Sequence, residues 1–86
     1  MSAILVVDDE PHLVRTLAIN LRARDYCVET AADAHSALVA FHESRPDLMV
    51  LDLGLPDLDG LEVLRRIRQV SDVPVIVLSA RTSSMP

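Results

Sequence analysis

The sequence predicts an α/β fold, a doubly wound parallel sheet that is incomplete, with element order β1-α1-β2-α2-β3-α3-β4. Three observations predict it. Short continuous apolar runs, AILVV at 3–7, LMVL at 48–51 and VPVIVL at 73–78, lack the alternation of a half-exposed strand and read as strands buried on both faces. The segments between strands carry apolar residues at helical spacing. The connections are short, so right-handed crossovers place helices on both faces of a parallel sheet.

Taken in order, Ala3–Val7 is the first strand and runs into Asp8, Asp9 and Glu10. Pro11 suits a first helical turn, where a missing N–H costs nothing. Leu13, Val14, Leu17, Ala18 and Leu21 follow at helical spacing, with Arg15 and Arg22 on other faces, and predict an amphipathic helix over 11–24. Asp25-Tyr26 breaks it, and Cys27–Ala31 is a short second strand. Asp33 is the predicted N-cap of a second helix that turns Ala34, Ala37, Leu38 and Phe41 inward and stops before Pro46. Leu48–Asp52 is the third strand, and Gly54 and Pro56 turn the chain beyond it.

Asp59-Gly60-Leu61-Glu62 has the form of a capping box and opens a third helix expected to bury Leu61, Leu64 and Ile67. Glu62 and Arg66 stand one turn apart, suited to an ion pair. Ser71-Asp72 ends that helix, and Val73–Leu78 is the fourth strand, with Pro74 near its start, where a ladder donor is dispensable. Ser79, Ala80 and Arg81 follow, so the folded unit is expected over 1–81 with a polar tail at 82–86.

Composition narrows the function classes. Eighty-six residues make one small domain, and a chain that is 50% hydrophobic with a single Phe, a single Tyr and no Trp must build its core from Leu, Val, Ile and Ala. A net charge of −5 argues against direct contact with nucleic acid. All eight cations are arginine. The single cysteine, Cys27, excludes an internal disulfide, suits a reducing compartment and is expected in the core. With no membrane-span-length apolar run and no signal peptide, the chain is expected to be cytoplasmic and not membrane-bound. His12, His35 and His42 lack the companions of a zinc site and read as surface residues. Arg65, Arg66 and Arg68 read as a solvated face, and Asp57 and Asp59 as turn and cap.

The chemistry lies at the strand ends. The first strand delivers Asp8 and Asp9, the third Asp52 and the fourth Ser79, and in a parallel sheet these ends open onto one rim, where α/β folds bind their ligands. Asp52 followed by Leu53-Gly54 is also ordinary turn chemistry, and a strand-capping role stays open for it. Clustered carboxylates, however, repel one another and raise a pKa unless a cation intervenes. Mg²⁺, which favours one or two carboxylates and keeps waters that a phosphate can displace, resolves the repulsion. These residue types point to phosphoryl chemistry on a carboxylate, with Ser79 placed to donate to a phosphoryl oxygen and Ala80 small enough to leave the approach open.

VVDDEP at 6–11, LDLGLPDLDG at 51–60 and PVIVLSAR at 74–81, spaced over nearly the whole chain, resemble the receiver domain of two-component response regulators of the OmpR/PhoB class. The LDLGLPD and VLSAR segments are similar to the Kdp regulators. The resemblance implies a flavodoxin-like (CheY-like) sheet with strand order 2-1-3-4. It implies that Asp52 accepts a phosphoryl group from a sensor histidine kinase. Asp9, Asp52 and the Gly54 backbone carbonyl would bind Mg²⁺ directly, with Asp8 acting mainly through water. Ser79 would be the phosphoryl-sensing switch and Ala80 the access position. Such a domain takes part in its own phosphorylation without being a turnover enzyme, and normally controls a DNA-binding output domain.

The chain also departs from the family pattern. A fourth helix, a fifth strand ending in lysine and a fifth helix do not follow, no lysine is present, and Arg81 is a poor replacement for a paired lysine. The expectation is therefore a C-terminally truncated receiver whose apolar fourth strand is an open edge, suited to a homodimer or a swapped oligomer. Two other functions compete: an interaction-only module without sustained phosphorylation, and a haloacid dehalogenase-type phosphatase. The latter wants Asp-x-Asp, whereas this chain has Asp8-Asp9 and Asp52-Leu53-Gly54.

Overall fold

The structure, a computed structural model, describes residues 2–78. Its elements are β1 (Ala3–Val7), α1 (Pro11–Arg22), β2 (Cys27–Ala31), α2 (Ala34–Ser44), β3 (Leu48–Asp52), α3 (Gly60–Arg68) and β4 (Val75–Leu78). All neighbouring strands are parallel, in the order β2-β1-β3-β4. The predicted architecture and strand order are both found.

Alternate residues of the central strands supply two cores, which is why β1 and β3 have no polar face. Leu5, Val7, Met49 and Leu51 meet Ala34, Ala37 and Phe41 of α2 and Val63 and Ile67 of α3. Ile4, Val6 and Val50 point the other way and, with Val28, meet Ala18 of α1. Covering β1 and β3 on both sides removes their apolar side chains from water, at roughly 25 cal/mol per Å² buried.

Several boundaries differ from the sequence expectation, each for a local reason. α1 ends at Arg22, and 23–25 form a closing turn: Asp25 adopts φ 70°, its N–H bonds the Arg22 carbonyl, and the Tyr26 N–H reaches back to Leu21. This is a Schellman-type stop with Asp in the position usually held by glycine. β4 begins at Val75, not Val73, because Pro74 has no N–H to enter the ladder; its carbonyl instead accepts from Met49 N–H.

Three side chains expected in the interior lie outside it. Leu61 is 55% exposed while Val63 and Ile67 face the core, so the buried stripe of α3 is displaced from the one expected. Leu13 is partly exposed on the rim of α1. Cys27, at the first position of the edge strand β2, is exposed rather than packed in the core.

The two sheet edges contrast. Cys27 N–H bonds the Ser2 carbonyl and Asp8 N–H bonds the Ala31 carbonyl, so the odd-numbered residues of β2 face β1 and the Val28 carbonyl points to the open edge. The Arg22 guanidinium donates to that carbonyl at 2.9 Å and covers it. On the far side β4 presents Ile76 and Val77, 51% and 41% exposed, as expected of an apolar edge. Among the described residues, no helix is long and apolar enough to cross a membrane.

Candidate functional site

Register brings the acidic residues together. Val7 lies opposite Leu51 in the β1–β3 pair, so the residues just beyond, Asp8 and Asp52, leave the sheet side by side. One carboxylate oxygen from each of Asp8, Asp9 and Asp52 lies within 4.8 Å of the others. Asp8 and Asp52 are buried and Asp9 is exposed, so two carboxyl groups sit against the apolar sheet end and the third opens to solvent. Asp8 Oδ1 accepts the Glu10 N–H at 2.9 Å, which fixes its side chain across the start of α1. The Asp8 carboxyl is pushed above its ordinary value, chiefly by burial and further by the neighbouring charges of Asp52, Asp9 and Glu10, against the lowering effect of the Glu10 amide.

The donor set fits a hard divalent cation. Two oxygens each about 2.1 Å from one Mg²⁺ lie at most about 4.2 Å apart. A cluster spanning 4.8 Å closes on such an ion with a small rotation of one side chain, or through one bridging water. All donors are oxygen, and a 2+ charge would oppose both the burial and the neighbouring charges that raise Asp8.

The β3–α3 loop that follows Asp52 is pinned at several points. Leu55 and Leu58 pack against the core shared with α2 and α3. Gly60 N–H donates to the Leu53 carbonyl at 3.0 Å, and Gly60 lies so close to the strand end that a Cβ there would stand 2.6 Å from the Asp52 carbonyl oxygen and from Leu53 Cα. Asp59 caps α3, its carboxylate accepting from Leu61 N–H at 2.9 Å. Glu62 does not complete a reciprocal capping box; its carboxylate binds Arg65 and Arg66, each at 3.0 Å, and the Arg66 hydrogen bond is the main reason its pKa is lowered. Arg68 is more than a solvated residue: it donates to the Val73 and Ser71 carbonyls and ties the α3–β4 connection.

Asp57 does work that the sequence did not announce. It lies in the loop, yet its carboxylate accepts from Ala34 N–H at 2.7 Å and His35 N–H at 3.0 Å, capping α2 from 23 residues away. Local turn chemistry accounts only for its bond to Leu58 N–H. No spacing rule reports a partner so distant. The pairing of Gly60 with the strand end was equally hidden, since Asp-Gly at a helix start is explained locally. Gly54 is half-buried two residues beyond Asp52. Ser79, Ala80, Arg81 and the tail at 82–86 lie outside the described residues; Leu78, which precedes them, is opposite Asp52 in the β3–β4 register.

The family model for the response regulator receiver domain matches residues 4–85. The chain belongs to that family. As a receiver-domain chain it is 52% identical over 84 residues to the transcriptional regulatory protein KdpE of Mycobacterium tuberculosis, covering 98% of this chain and 37% of that protein. It is 44% identical over 82 residues to the DNA-binding response regulator MtrA of Mycolicibacterium smegmatis, covering 95% of this chain and 36% of that protein. The chain thus spans little more than a third of these curated relatives. Among solved structures, it superposes with a TM-score of 0.88 and 38% identity on the response regulator TrrA of Thermotoga maritima in complex with Mg²⁺-BeF, covering 96% of this chain and 73% of that one. The receiver domain of Francisella response regulator 1452 matches with a TM-score of 0.89 and 29% identity, covering 98% of this chain and 70% of that one. The order β2-β1-β3-β4 is that of the receiver fold, and its rim carries Asp8, Asp9 and Asp52.

Proposed function

We propose that this receiver domain is a phospho-acceptor in which Asp52 takes the phosphoryl group from a sensor histidine kinase. The observation that carries this reading is the convergence of Asp8, Asp9 and Asp52 within 4.8 Å at the end of β3. An oxygen of Asp52 attacks phosphorus, the phosphorus–nitrogen bond of the donor phosphohistidine breaks, and the freed imidazole takes up a proton from solvent. Asp9, Asp52 and the Gly54 carbonyl would hold Mg²⁺, with Asp8 acting mainly through water. The ion supplies charge neutralisation for the transferring group. Asp8, fixed by the Glu10 amide, would add a further negative charge beside the cation. By the family resemblance, Ser79 donates to a phosphoryl oxygen and Ala80 leaves the approach clear. The names of the curated relatives support a transcriptional output as the step this domain controls.

Incubation of the chain with acetyl phosphate and Mg²⁺, followed by intact-mass measurement, tests the proposal. One phosphoryl adduct is expected, absent in Asp52→Asn and absent with chelator. Continuous release of inorganic phosphate over many turnovers would instead identify a phosphatase.

A second reading, an interaction module that pairs with another copy without sustained phosphorylation, draws on the exposed Ile76 and Val77 of β4. In the same experiment it is recognised by a folded, self-associated chain that takes no adduct.

A further inference from the structure

The loop between β3 and α3 carries two of the groups assigned to the cation, Asp52 at its root and Gly54 within it. A ligand shell holds its ion tightly only when its donors are fixed before the ion arrives. Leu55 and Leu58 hold the loop against the core by packing, which is not directional. The ends of the loop are tied by Leu53 N–H to the Leu78 carbonyl and by Gly60 N–H to the Leu53 carbonyl, at 3.4 and 3.0 Å; its middle is tied by the Asp57 carboxylate, which accepts from the α2 amides of Ala34 and His35 at 2.7 and 3.0 Å.

α2 does not need Asp57 for an ordinary cap. Asp33 already accepts from Ser36 N–H at 2.7 Å, and its carbonyl accepts from Ala37 N–H. The N-terminus of α2 therefore carries two carboxylates where one is usual. The second comes from the loop beside the cation cluster. Negative charge at a helix N-terminus is favourable, so the tie is stable although exposed. The same amides hold the Asp57 carboxyl below its ordinary value, Ala34 contributing most.

We infer that Asp57 is a positioning residue for the cation site: anchored on the first turn of α2, it holds the β3–α3 loop so that Gly54 and Asp52 are presented together to one divalent ion. This rests on the phospho-acceptor reading given above and deepens it. A reciprocal consequence follows. If the anchor strengthens cation binding by some factor, the cation strengthens the anchor by the same factor.

The test compares Asp57→Ala, Asp57→Asn and Asp33→Ala in the full chain, measuring Mg²⁺ affinity by calorimetric titration. Asp33→Ala is the control: it also removes a carboxylate from the α2 N-terminus, but one with no tie to the loop. Expected is a rise in Mg²⁺ Kd of about 5- to 10-fold for Asp57→Ala, somewhat below the loss typical of groups bonded directly to a ligand. Asp57→Asn, which keeps one accepting oxygen without the charge, should fall between it and the parent. Asp33→Ala should change Kd by less than about 2-fold.

In the unmutated chain, hydrogen exchange at the Ala34 and His35 amides should slow on adding Mg²⁺, a readout that needs no variant to fold. Equal losses in Asp57→Ala and Asp33→Ala would reduce Asp57 to a helix cap and overturn the inference. So would an Asp57→Asn value equal to that of Asp57→Ala, which would leave only a charge effect, or amide exchange indifferent to Mg²⁺. A parent chain that binds Mg²⁺ but accepts no phosphoryl group overturns the phospho-acceptor reading instead, and the Kd comparison still decides Asp57.

Discussion

Gly60→Ala is expected to destabilise the chain by about 3 kcal/mol, at the upper end for overpacking. None of the glycines in the described residues has positive φ, so backbone freedom is not what requires glycine here. The requirement is space: an added Cβ would stand 2.6 Å from the Asp52 carbonyl oxygen and from Leu53 Cα. Both are backbone atoms in or next to a buried strand, so neither can rotate away as the end of a side chain could. Small domains of this kind are held by only about 5–15 kcal/mol, so the loss is a large share of the total. Urea denaturation would measure it, with a midpoint shifted well below that of the parent. The same collision pushes on Asp52, the proposed acceptor, so phosphoryl uptake should fall in the fraction that remains folded. A denaturation midpoint unchanged by Gly60→Ala would mean that α3 can move off the strand end without cost.

Asp8→Asn should have opposite effects with and without the cation. In metal-free protein the buried carboxylate, crowded by Asp52 and Asp9, is a cost to folding. Asparagine keeps an oxygen for the Glu10 amide and removes the charge, so the metal-free variant should be the more stable. With Mg²⁺ the parent should gain stability by mass action and the variant less, since it keeps the groups proposed to bind the ion directly but loses one charge beside it.

The pH dependence follows from the same shift. A carboxyl whose pKa is raised on folding binds its proton more tightly in the native state. Its destabilisation is therefore fully present above the folded pKa and is relieved as pH falls through that value toward the ordinary carboxylate range. Asp57 and Glu62, lowered on folding, act in the other sense: their contribution is present above the ordinary range and is lost as pH falls below it. Metal-free protein should thus gain stability on mild acidification from neutral pH and lose it on further acidification, and Asp8→Asn should remove the first phase only. Thermal melts across pH, with and without Mg²⁺, would check this; a parent chain that only loses stability on acidification would contradict the crowding of Asp8.

The legible parts of the sequence were those governed by local rules. β1, β2 and β3 begin and end where the apolar runs and turn residues place them, and Asp33 and Asp59 cap the helices they precede. The cluster of Asp8, Asp9 and Asp52 was legible because parallel strands of matched length must end on one rim. Positions depending on a neighbour distant in sequence were not. Leu61 carries the right residue type for burial, yet the face of α3 is chosen by the sheet beneath it, which takes Val63 and Ile67. Asp57 has the chemistry of a turn and the partners of a helix cap, and Gly60 is required by a strand it does not follow directly. Cys27 belongs to a residue type usually buried, but an edge strand gives its first residue little to be buried against.

The most direct measurement is the position of a bound divalent ion, with Mn²⁺ substituted for Mg²⁺ and located by anomalous scattering in crystals of this chain. Expected is one peak between the ends of β1 and β3, about 2.0–2.3 Å from oxygens of Asp9 and Asp52 and from the Gly54 carbonyl, with Asp8 alongside. Manganese bound elsewhere, or no ordered ion at a saturating concentration, would contradict a shared cation site and with it the assignment of Asp52 as the acceptor.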